Sequence, residues 1–417
     1  MTGRDLHDRE APQASTPVEV PALGRDRRVQ AYVLSSAISQ AGDVAWTIGL
    51  AWTAARIGTA TQTGLVVGIG TFPRALMLLF GGALADRIDA RKVMVATNIS
   101  RIGTLLLGIV VAQGVGLSIP LLVGIAVLFG LFDAVYDPAA GTLPRQFVRT
   151  EDLSATVAMF QFAHRVATFV GAPIGGFLVA FGGLELVMFA DALSFCVIAA
   201  MLAFVMRPRF PRELSSGHSM LKDLIGGFGY LRRTKPVRTL VIALSGLNLC
   251  AGPITAVGLV LRTHAAGWGA PSLGVFQACI GVGAAVGAVV AIRVRPSRPA
   301  RAGLLILIVQ SAALSVIGFA SYAGIVVAMA TVGVTAGLAS AFLSGAFMAS
   351  VDGQYLGRMG SITSLTDNAL MPVMMVAFAS FAGAVSLTLG CVLLAVAFAT
   401  LVTWSATRPD IDFAAVG

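Results

Sequence analysis

Residues 63–92 of the chain read TGLVVGIGTFPRALMLLFGGALADRIDARK. The first part, as far as residue 85, is almost wholly apolar, and Arg74 is its one ionisable side chain. About 20 such residues form a helix that crosses the roughly 30 Å hydrocarbon core of a bilayer. The second part changes abruptly to charged residues, from Asp86 to Lys92. The stretch therefore predicts a membrane-spanning helix that ends in a basic loop.

The rest of the chain repeats this pattern of apolar blocks and short polar breaks. Of the 417 residues, 57% are hydrophobic and only 12% are charged, about half the charged fraction of a typical soluble domain. This composition predicts an all-α membrane protein and excludes a soluble globular one. Twelve apolar spans are predicted, at residues 31–57, 63–85, 93–113, 119–138, 154–181, 185–206, 238–261, 272–293, 302–321, 323–347, 360–383 and 384–405.

The basic residues are distributed unequally between the two sides of these spans. With the amino terminus inside, about 24 of the 29 Lys and Arg residues fall on cytoplasmic segments. Arg56 and Arg262 fall outside, and Arg74, Arg101 and Arg165 lie within spans. By the positive-inside rule, both termini are predicted to be cytoplasmic. The rule accounts for the net charge of +9 without nucleic acid, and the Arg-, Ala- and Gly-rich composition favours a bacterial inner membrane as the location.

The longest internal polar stretch, Arg207 to Lys235, divides the spans into two sets of six. Two six-span repeats around a long linker are typical of two-lobed transporters. Within the linker, Met220 to Leu231 is predicted to form an amphipathic helix on the membrane surface. The predicted segments are a disordered cytoplasmic tail (1–28), an N-terminal lobe (29–206), a cytoplasmic linker (207–237), a C-terminal lobe (238–405) and a second cytoplasmic tail (406–417).

The loop after the second span resembles the loop found at this place in the major facilitator superfamily. The matching positions are Gly82, Asp86, Arg87, Arg91 and Lys92. Small residues at a span end let a neighbouring helix approach closely, and an acid beside a basic cluster can pair with helix ends and with Arg. The resemblance implies the major facilitator fold, twelve transmembrane helices in two six-helix lobes, with these five residues forming a conformational-switch loop.

Further segments resemble one branch of that superfamily, the macrolide-efflux and siderophore exporters. They are Ser39–Asp43 in the first span, Asp137–Val148 after the fourth and Asp191–Phe195 in the sixth. In the fifth span, Gly171–Gly176 resembles the antiporter motif of the superfamily, with its proline displaced by one position. The resemblance implies proton-coupled export of drugs or metabolites.

Ionisable side chains within the spans are candidates for proton coupling, because each costs ~2.5–3.5 kcal/mol or more at membrane depth unless it is paired or hydrated. Three acids (Asp43, Asp133, Asp191) and three bases lie there, and their equal number predicts pairing. In one interpretation, Asp43 or Asp133 titrates while an Arg partner moves. In the other, the same residues form static salt bridges. The proton-coupling candidates are Asp43, Asp133, Arg74, Arg101, Arg165 and His164.

Uncharged polar residues within the spans, with one acid, are candidates for the substrate cavity. Gln40 shares a helix face with Asp43, and Gln161 shares one with Arg165. The second half is poor in charge within its spans, which favours an apolar cavity wall with a few amides. Such a wall suits small amphipathic substrates. The substrate-cavity candidates are Gln40, Gln161, Asn248, Gln277, Asp367 and Asn368.

Three functions are compared on this basis. The first is export of small amphipathic compounds, as in drug or antibiotic efflux, by proton antiport with alternating access. The second is a dedicated siderophore or secondary-metabolite exporter, or an uncoupled facilitator, of the same fold. The third is a membrane enzyme, which is not favoured because no phosphate loop, HExxH or GxSxG motif occurs.

No cofactor or metal site is predicted from the sequence. The four cysteines (Cys196, Cys250, Cys279 and Cys391) lie inside apolar spans without CxxC spacing. This arrangement supports neither a disulfide framework nor a zinc site. The expected partners are the substrate, protons and the lipid bilayer, with no nucleic acid, and the resemblance implies a monomer.

Overall fold

The computed structural model describes residues 21, 23–80, 89–210, 220–294 and 296–409, and every regular element in these ranges is helical. The first helices are α1 (Arg27–Ile57), α2 (Ala60–Ile69), α3 (Phe72–Phe80), α4 (Ala90–Val115), α5 (Ile119–Thr142) and α6 (Leu153–Ala200). They are followed by α7 (Met220–Arg233), α8 (Lys235–Pro253), α9 (Leu259–Ala265), α10 (Ala270–Arg293), α11 (Pro299–Ser315), α12 (Tyr322–Ser350), α13 (Leu356–Ala384) and α14 (Leu387–Ala406).

Within the described ranges, nine helical stretches are long and apolar enough to cross a membrane. One of them, Thr150–Val205, contains two spans, because the chain reverses at Gly182 and Gly183. Gly183 has φ +68°, a conformation that glycine adopts readily and other residues seldom do. α1 adds a further span, and α2 with α3 adds another that is broken at Gly70 and Thr71. The predicted all-α fold with twelve spans is confirmed.

Several predicted boundaries differ from the structure. The predicted tail over residues 1–28 is wrong for its last residues, because Leu23–Arg25 form a 3₁₀ turn and α1 begins at Arg27. The fifth helix continues beyond the predicted span end at residue 138, through Pro138 to Thr142. The closely spaced break near residue 321 is confirmed, because the Ser321 side chain accepts a hydrogen bond from the Gly324 N–H and caps α12.

Each half of the chain forms its own lobe with its own core. The core of the first lobe contains Met94, Leu105 and Phe195, all fully buried. The core of the second lobe is built mainly around Phe276 and Phe398. Between apolar helices in lipid, such contacts stabilise through close packing rather than through exclusion of water.

The helix ends define two faces of the bundle. The basic face carries the start of α1 and the segments around residues 89–92, 143–152, 205–210 and 296–301. The opposite face carries the turns at 58–59, 116–118, 182–183, 266–269, 319–321 and 385–386. Between the faces, large apolar side chains such as Phe162 and Phe181 point outward, 71% and 84% exposed, as expected of a lipid-facing surface.

The two lobes meet along two seams. Where α6 meets α10, a Cβ atom on Gly274 would lie 2.6 Å from the Ala172 carbonyl oxygen. Where α2 meets α13, a Cβ atom on Gly64 would lie 2.7 Å from the Met375 carbonyl oxygen. Cβ atoms essentially never approach other atoms within 3.0 Å, so glycine is required for the backbones to come this close. Gly274 and Gly64 both lie between the middle of the bundle and the opposite face, and α3 continues the second seam along α13 towards the basic face.

The linker helix α7 packs against the second lobe. Tyr230 stacks on Tyr355 with 4.1 Å between the ring centroids, and the Tyr230 hydroxyl accepts a hydrogen bond of 3.2 Å from the Asp352 N–H. A helix is therefore confirmed where the sequence predicted one, between Met220 and Arg233. Its predicted position on the membrane surface stays a prediction.

The first lobe is tied together at the basic face by arginine contacts. Asp26 caps α1 and forms an ion pair with Arg209. Burial raises the pKa of Asp26, but the hydrogen bonds from Arg209 and from the Val29 N–H outweigh this effect, so the pKa lies below its ordinary value of 3.8. The Arg91 side chain donates to the carbonyl oxygen of Leu202 at 2.6 Å, in the π-helical turn Met201–Val205.

Candidate functional site

A cavity of about 770 Å³ lies beside the centre of the bundle. Most of its wall comes from α1, α2, α3, α4, α5 and α6, and the second lobe contributes Ala256 and Met375. The cavity reaches the basic face along the end of α5, where Gly141 lines it and is exposed. Towards the opposite face, the two seams separate the cavity from the outside.

A polar stripe on α1 lines the cavity. Ser36, Gln40, Asp43 and Thr47 all face it, because spacings of three and four residues place side chains on one side of a helix. The predicted shared face of Gln40 and Asp43 is confirmed. Asp43 forms no side-chain hydrogen bond or salt bridge with any residue that the structure describes.

Asp133 on α5 holds two arginines at the cavity wall. One carboxylate oxygen pairs with Arg74 on α3, and the other pairs with Arg101 on α4. Asp137, one turn further along α5, lies 3.9 Å from the Arg74 Nε and its side chain is 61% exposed at the cavity mouth. Three carboxyl groups (Asp43, Asp133 and Asp137) therefore face two guanidinium groups at this wall.

Arg101 is the most enclosed of these charges, with 3% of its side chain exposed. Its guanidinium group lies 4.6 Å from the ring centre of Tyr136 and 5.1 Å from that of Phe195. Arginine tolerates such a setting because its planar group stacks on aromatic faces while it donates to a carboxylate.

The prediction of one acid for each base is wrong. Asp133 binds two arginines, and neither Asp43 nor Asp191 forms a salt bridge with a described residue. Arg165 is exposed, does not line the cavity and forms no salt bridge within the described ranges. The geometric reason is that α3 and α4 both flank α5, so their arginines reach the same carboxylate.

His164 and Gln161 line the cavity from α6. The His164 Nε2 lies 2.9 Å from the Ser36 hydroxyl, which joins α6 to the polar stripe of α1. The ring of His164 also stands edge-on to Phe160. This histidine is therefore hydrogen-bonded across two helices of one lobe.

The other substrate-cavity candidates lie on the second lobe, away from the cavity wall. Asn248 Nδ2 donates to Asp367 at 2.8 Å, joining α8 to α13. Asp367 lies two turns from the lining residue Met375 on α13. Gln277 donates to the Thr255 carbonyl oxygen at 3.3 Å, and Asn368 donates to that of Ser364 at 2.8 Å.

The predicted switch loop is described only in part. Gly82, Asp86 and Arg87 lie outside the described residues, whereas Arg91 and Lys92 lie in the first turn of α4. The Arg91 contact with Leu202 joins this turn to the end of the sixth span.

Sequence reasoning missed several cavity residues. Ser36 and Thr47 extend the α1 stripe by one turn in each direction, and the helical spacing from Asp43 was sufficient to find them. The aromatic residues had no such signal, because aromatic side chains in a span equally suit a packed core. Those that line the cavity are Tyr32, Trp46, Phe129, Tyr136 and Phe160. Among the described residues, no group of three or more His, Cys, Asp or Glu side chains is placed to hold a metal ion.

Comparison with known sequences identifies related transporters. The Major Facilitator Superfamily profile matches residues 32–374. The enterobactin exporter EntS of Shigella boydii serotype 18 is 28% identical over 274 residues, which cover 63% of this chain and 58% of the relative. EntS of Escherichia coli O139:H28 gives the same identity and coverage. The chain thus matches less than two thirds of the length of these curated relatives.

Comparison with solved structures gives the same architecture. A bacterial homologue of the iron transporter ferroportin, in an inward-facing state, has a TM-score of 0.73 at 15% identity, covering 93% of this chain and 100% of that one. The nucleoside transporter NupG has a TM-score of 0.66 at 12% identity, with coverage of 91% and 98%. At these identities the likeness concerns the fold alone.

Proposed function

Because the chain belongs to the Major Facilitator Superfamily, whose members are membrane transporters and not enzymes, we propose that it exports small amphipathic compounds by proton antiport. The observation that carries this proposal is the cavity, which reaches one face of the bundle and holds a carboxyl group, Asp43, without a cationic partner among the described residues.

The arrangement of the lobes supports alternating access. The cavity reaches the basic face, while glycine seams hold the lobes together towards the opposite face. Transport then requires the lobes to rock so that the seams part and the cavity mouth closes. We place the basic face, with both termini, in the cytoplasm by the positive-inside rule. The membrane is then the bacterial inner membrane, and this conformation accepts substrate from inside the cell.

Charge supports a coupling role for Asp43 rather than Asp133. Asp133 is already engaged with both Arg74 and Arg101. Asp43 faces the same cavity without an ion pair, so a proton is the simplest way to neutralise it at membrane depth. Proton binding from outside and release inside would then drive the export cycle.

The cavity suggests the class of substrate. Its volume lies within the ~300–1,000 Å³ typical of small-molecule sites. One wall offers amides, hydroxyls, charges and aromatic rings, whereas Ala256 and Met375 on the other side are apolar. The similarity to enterobactin exporters favours a siderophore or another metabolite made by the cell. Efflux of foreign drugs is the competing function for the same cavity.

The test uses everted membrane vesicles with an acidified interior and a pH-sensitive dye. Siderophores, macrolides and lipophilic cations are added one at a time. A transported compound should release protons and restore the dye signal, in proportion to the amount of protein. Recovery with siderophores alone indicates a dedicated metabolite exporter, and recovery across the panel indicates multidrug efflux.

The Asp43→Asn variant separates coupling from transport. We expect it to bind the active compound but to lose the dye response, because the amide cannot take up or release the proton. Asp352→Asn is the matched control, since Asp352 is exposed at the basic face and should leave the response unchanged. A normal proton response in Asp43→Asn would contradict the role given to Asp43. Accumulation of the active compound without any proton movement would contradict antiport.

A further inference from the structure

Asp191 in α6 is a buried acid that the proposed transport cycle does not use. Only 1% of its surface is exposed, and it does not line the cavity. It lies about a third of the way along the sixth span, eight residues after the break at Gly182 and Gly183. A carboxyl group in such a position is costly unless it is paired or neutral.

The immediate surroundings satisfy only one of its two oxygens. The Ser194 hydroxyl has one proton and two acceptors, the Asp191 carbonyl oxygen at 2.8 Å and the Asp191 Oδ1 at 3.1 Å. Oδ2 is enclosed and has no hydrogen-bond partner among the described residues. On the other side, α1 presents Gly42, where any side chain would overlap both the Asp191 carboxyl and the Ser194 hydroxyl. The acid is therefore pressed directly against the backbone of α1.

The charges on the neighbouring helices do not compensate a negative charge at Asp191. Arg101 on α4 stacks on Phe195, one turn from Asp191, but its guanidinium is bound to Asp133 of α5. Arg74 on α3 is bound to the same carboxylate. The positive charge that remains on these two arginines is already faced by the carboxyl groups of Asp43 and Asp137 at the cavity wall, so the acids outnumber the bases before Asp191 is counted. The remaining neighbour, Asp43 on α1, is itself an acid. An ionised Asp191 would be buried without a counter-ion, whereas a protonated one is neutral.

We infer that Asp191 is a second proton-binding site of the first lobe, which carries a proton in this conformation and exchanges it with Asp43 on the adjacent turn of α1. Gly42 lies between the two acids, because it contacts Asp191 while Asp43, the residue that follows it in α1, faces the cavity. The transfer moves one proton from the Asp191 carboxyl to the Asp43 carboxylate, so one acid and one carboxylate are present before and after. This exchange rests on the proposed antiport; the protonation of Asp191 does not.

The oxygen without a partner also favours a proton-binding role for Asp191. Buried polar groups that serve only the fold are nearly always fully hydrogen-bonded. Asp191 instead has one anchored oxygen and one oxygen without a partner among the described residues. Such a group is held in position by Ser194 while its second oxygen can gain or lose a proton.

The first test is infrared difference spectroscopy of the purified protein in lipid at neutral pH. Wild-type protein should show the carbonyl stretch of a protonated carboxylic acid, and Asp191→Asn should lose that band. Asp352→Asn, which changes an exposed acid, should keep it. If the band is absent from the wild type, or is unchanged in Asp191→Asn, Asp191 is not protonated and the inference is wrong. Export can still be observed in that case.

The second test is the pH dependence of transport. Asparagine imitates the neutral acid but cannot pass on a proton, so Asp191→Asn should fold and export while its rate becomes at least several-fold less sensitive to pH. Asp191→Glu should restore part of the pH dependence. A pH profile of Asp191→Asn that coincides with the wild-type profile would overturn the exchange with Asp43, even if the infrared band is lost.

Discussion

Asp133 joins three helices of the first lobe through one carboxyl group. Its two oxygens are bound to guanidinium groups from α3 and α4. Charged hydrogen bonds of this kind are strong, but their benefit is largely offset by the loss of hydration on burial. Both arginines depend on Asp133 as their counter-ion, and the Arg101 side chain is almost completely enclosed.

We therefore expect Asp133→Asn to destabilise the protein by about 3 kcal/mol, because it leaves a buried arginine without its counter-ion. The measurement is thermal unfolding of the purified protein in detergent, followed by tryptophan fluorescence. Asp137→Asn is the comparison. Asp137 is exposed and its contact with the Arg74 Nε is long, at 3.9 Å, so this substitution should lower the free energy of unfolding by less than about 1 kcal/mol. Equal shifts for the two variants would contradict the central role of Asp133.

At the scale of helices, contact between the lobes depends on glycines. Gly64 and Gly68 of α2 approach the α13 backbone, and Gly274 of α10 approaches that of α6. Glycine lowers helix stability relative to alanine by about 1 kcal/mol. At these seams, the close packing between helices compensates for that loss of helix stability. These seams close the opposite face in this conformation, and in the proposed transport cycle they break and form again.

Gly64→Ala should weaken that closure, because the added methyl group would meet Ala379 and the Met375 carbonyl oxygen. We expect a loss of ~1–3 kcal/mol from overpacking, seen as a lower unfolding temperature. Gly124→Ala is the matched control, since nothing lies within 4 Å of its Cβ position and alanine favours the helix. An unfolding temperature that falls equally in both variants would show that the seam is not the cause.

The helices were largely predictable from sequence, and their exceptions have physical causes. Span lengths follow from bilayer thickness, so even the close break at Ser321 was found. The interruption of the second span at Gly70 was not predicted, because a glycine inside an apolar run is equally typical of close helix packing. At the site, Asp43 and Gln40 were predictable from helical spacing. The sharing of Asp133 by two arginines was not, because it depends on how α3 and α4 flank α5.

At the scale of the whole molecule, the structure corresponds to one of the two end states that the proposed alternating access requires. The cavity reaches the basic face, and the lobes touch near the opposite face at Ala60 and Gly383. A Cβ atom on Gly383 would lie 3.0 Å from that of Ala60, slightly closer than the usual separation in a disulfide. This pair therefore offers a means of holding the lobes in place.

In a background without the four native cysteines, Ala60→Cys combined with Gly383→Cys should form a disulfide under oxidising conditions. We expect transport to fall at least tenfold, because the seams can no longer part, and to recover on reduction. The single-cysteine variants, treated in the same way, should transport normally. Full activity of the cross-linked protein would mean that export proceeds without opening at this place.

The unequal walls of the cavity have a consequence for selectivity. Hydrogen-bonding groups line it on the first lobe, while Ala256 and Met375 offer none from the second. A molecule with polar groups all around its rim would place some of them against these two apolar side chains, where they would lose their hydration without compensation. A positional isomer with the same formula and volume, but with its polar groups along one edge, could direct all of them to the hydrogen-bonding groups of the first lobe. The transporter should therefore distinguish isomers by how polarity is distributed over them, even where size and overall lipophilicity are identical.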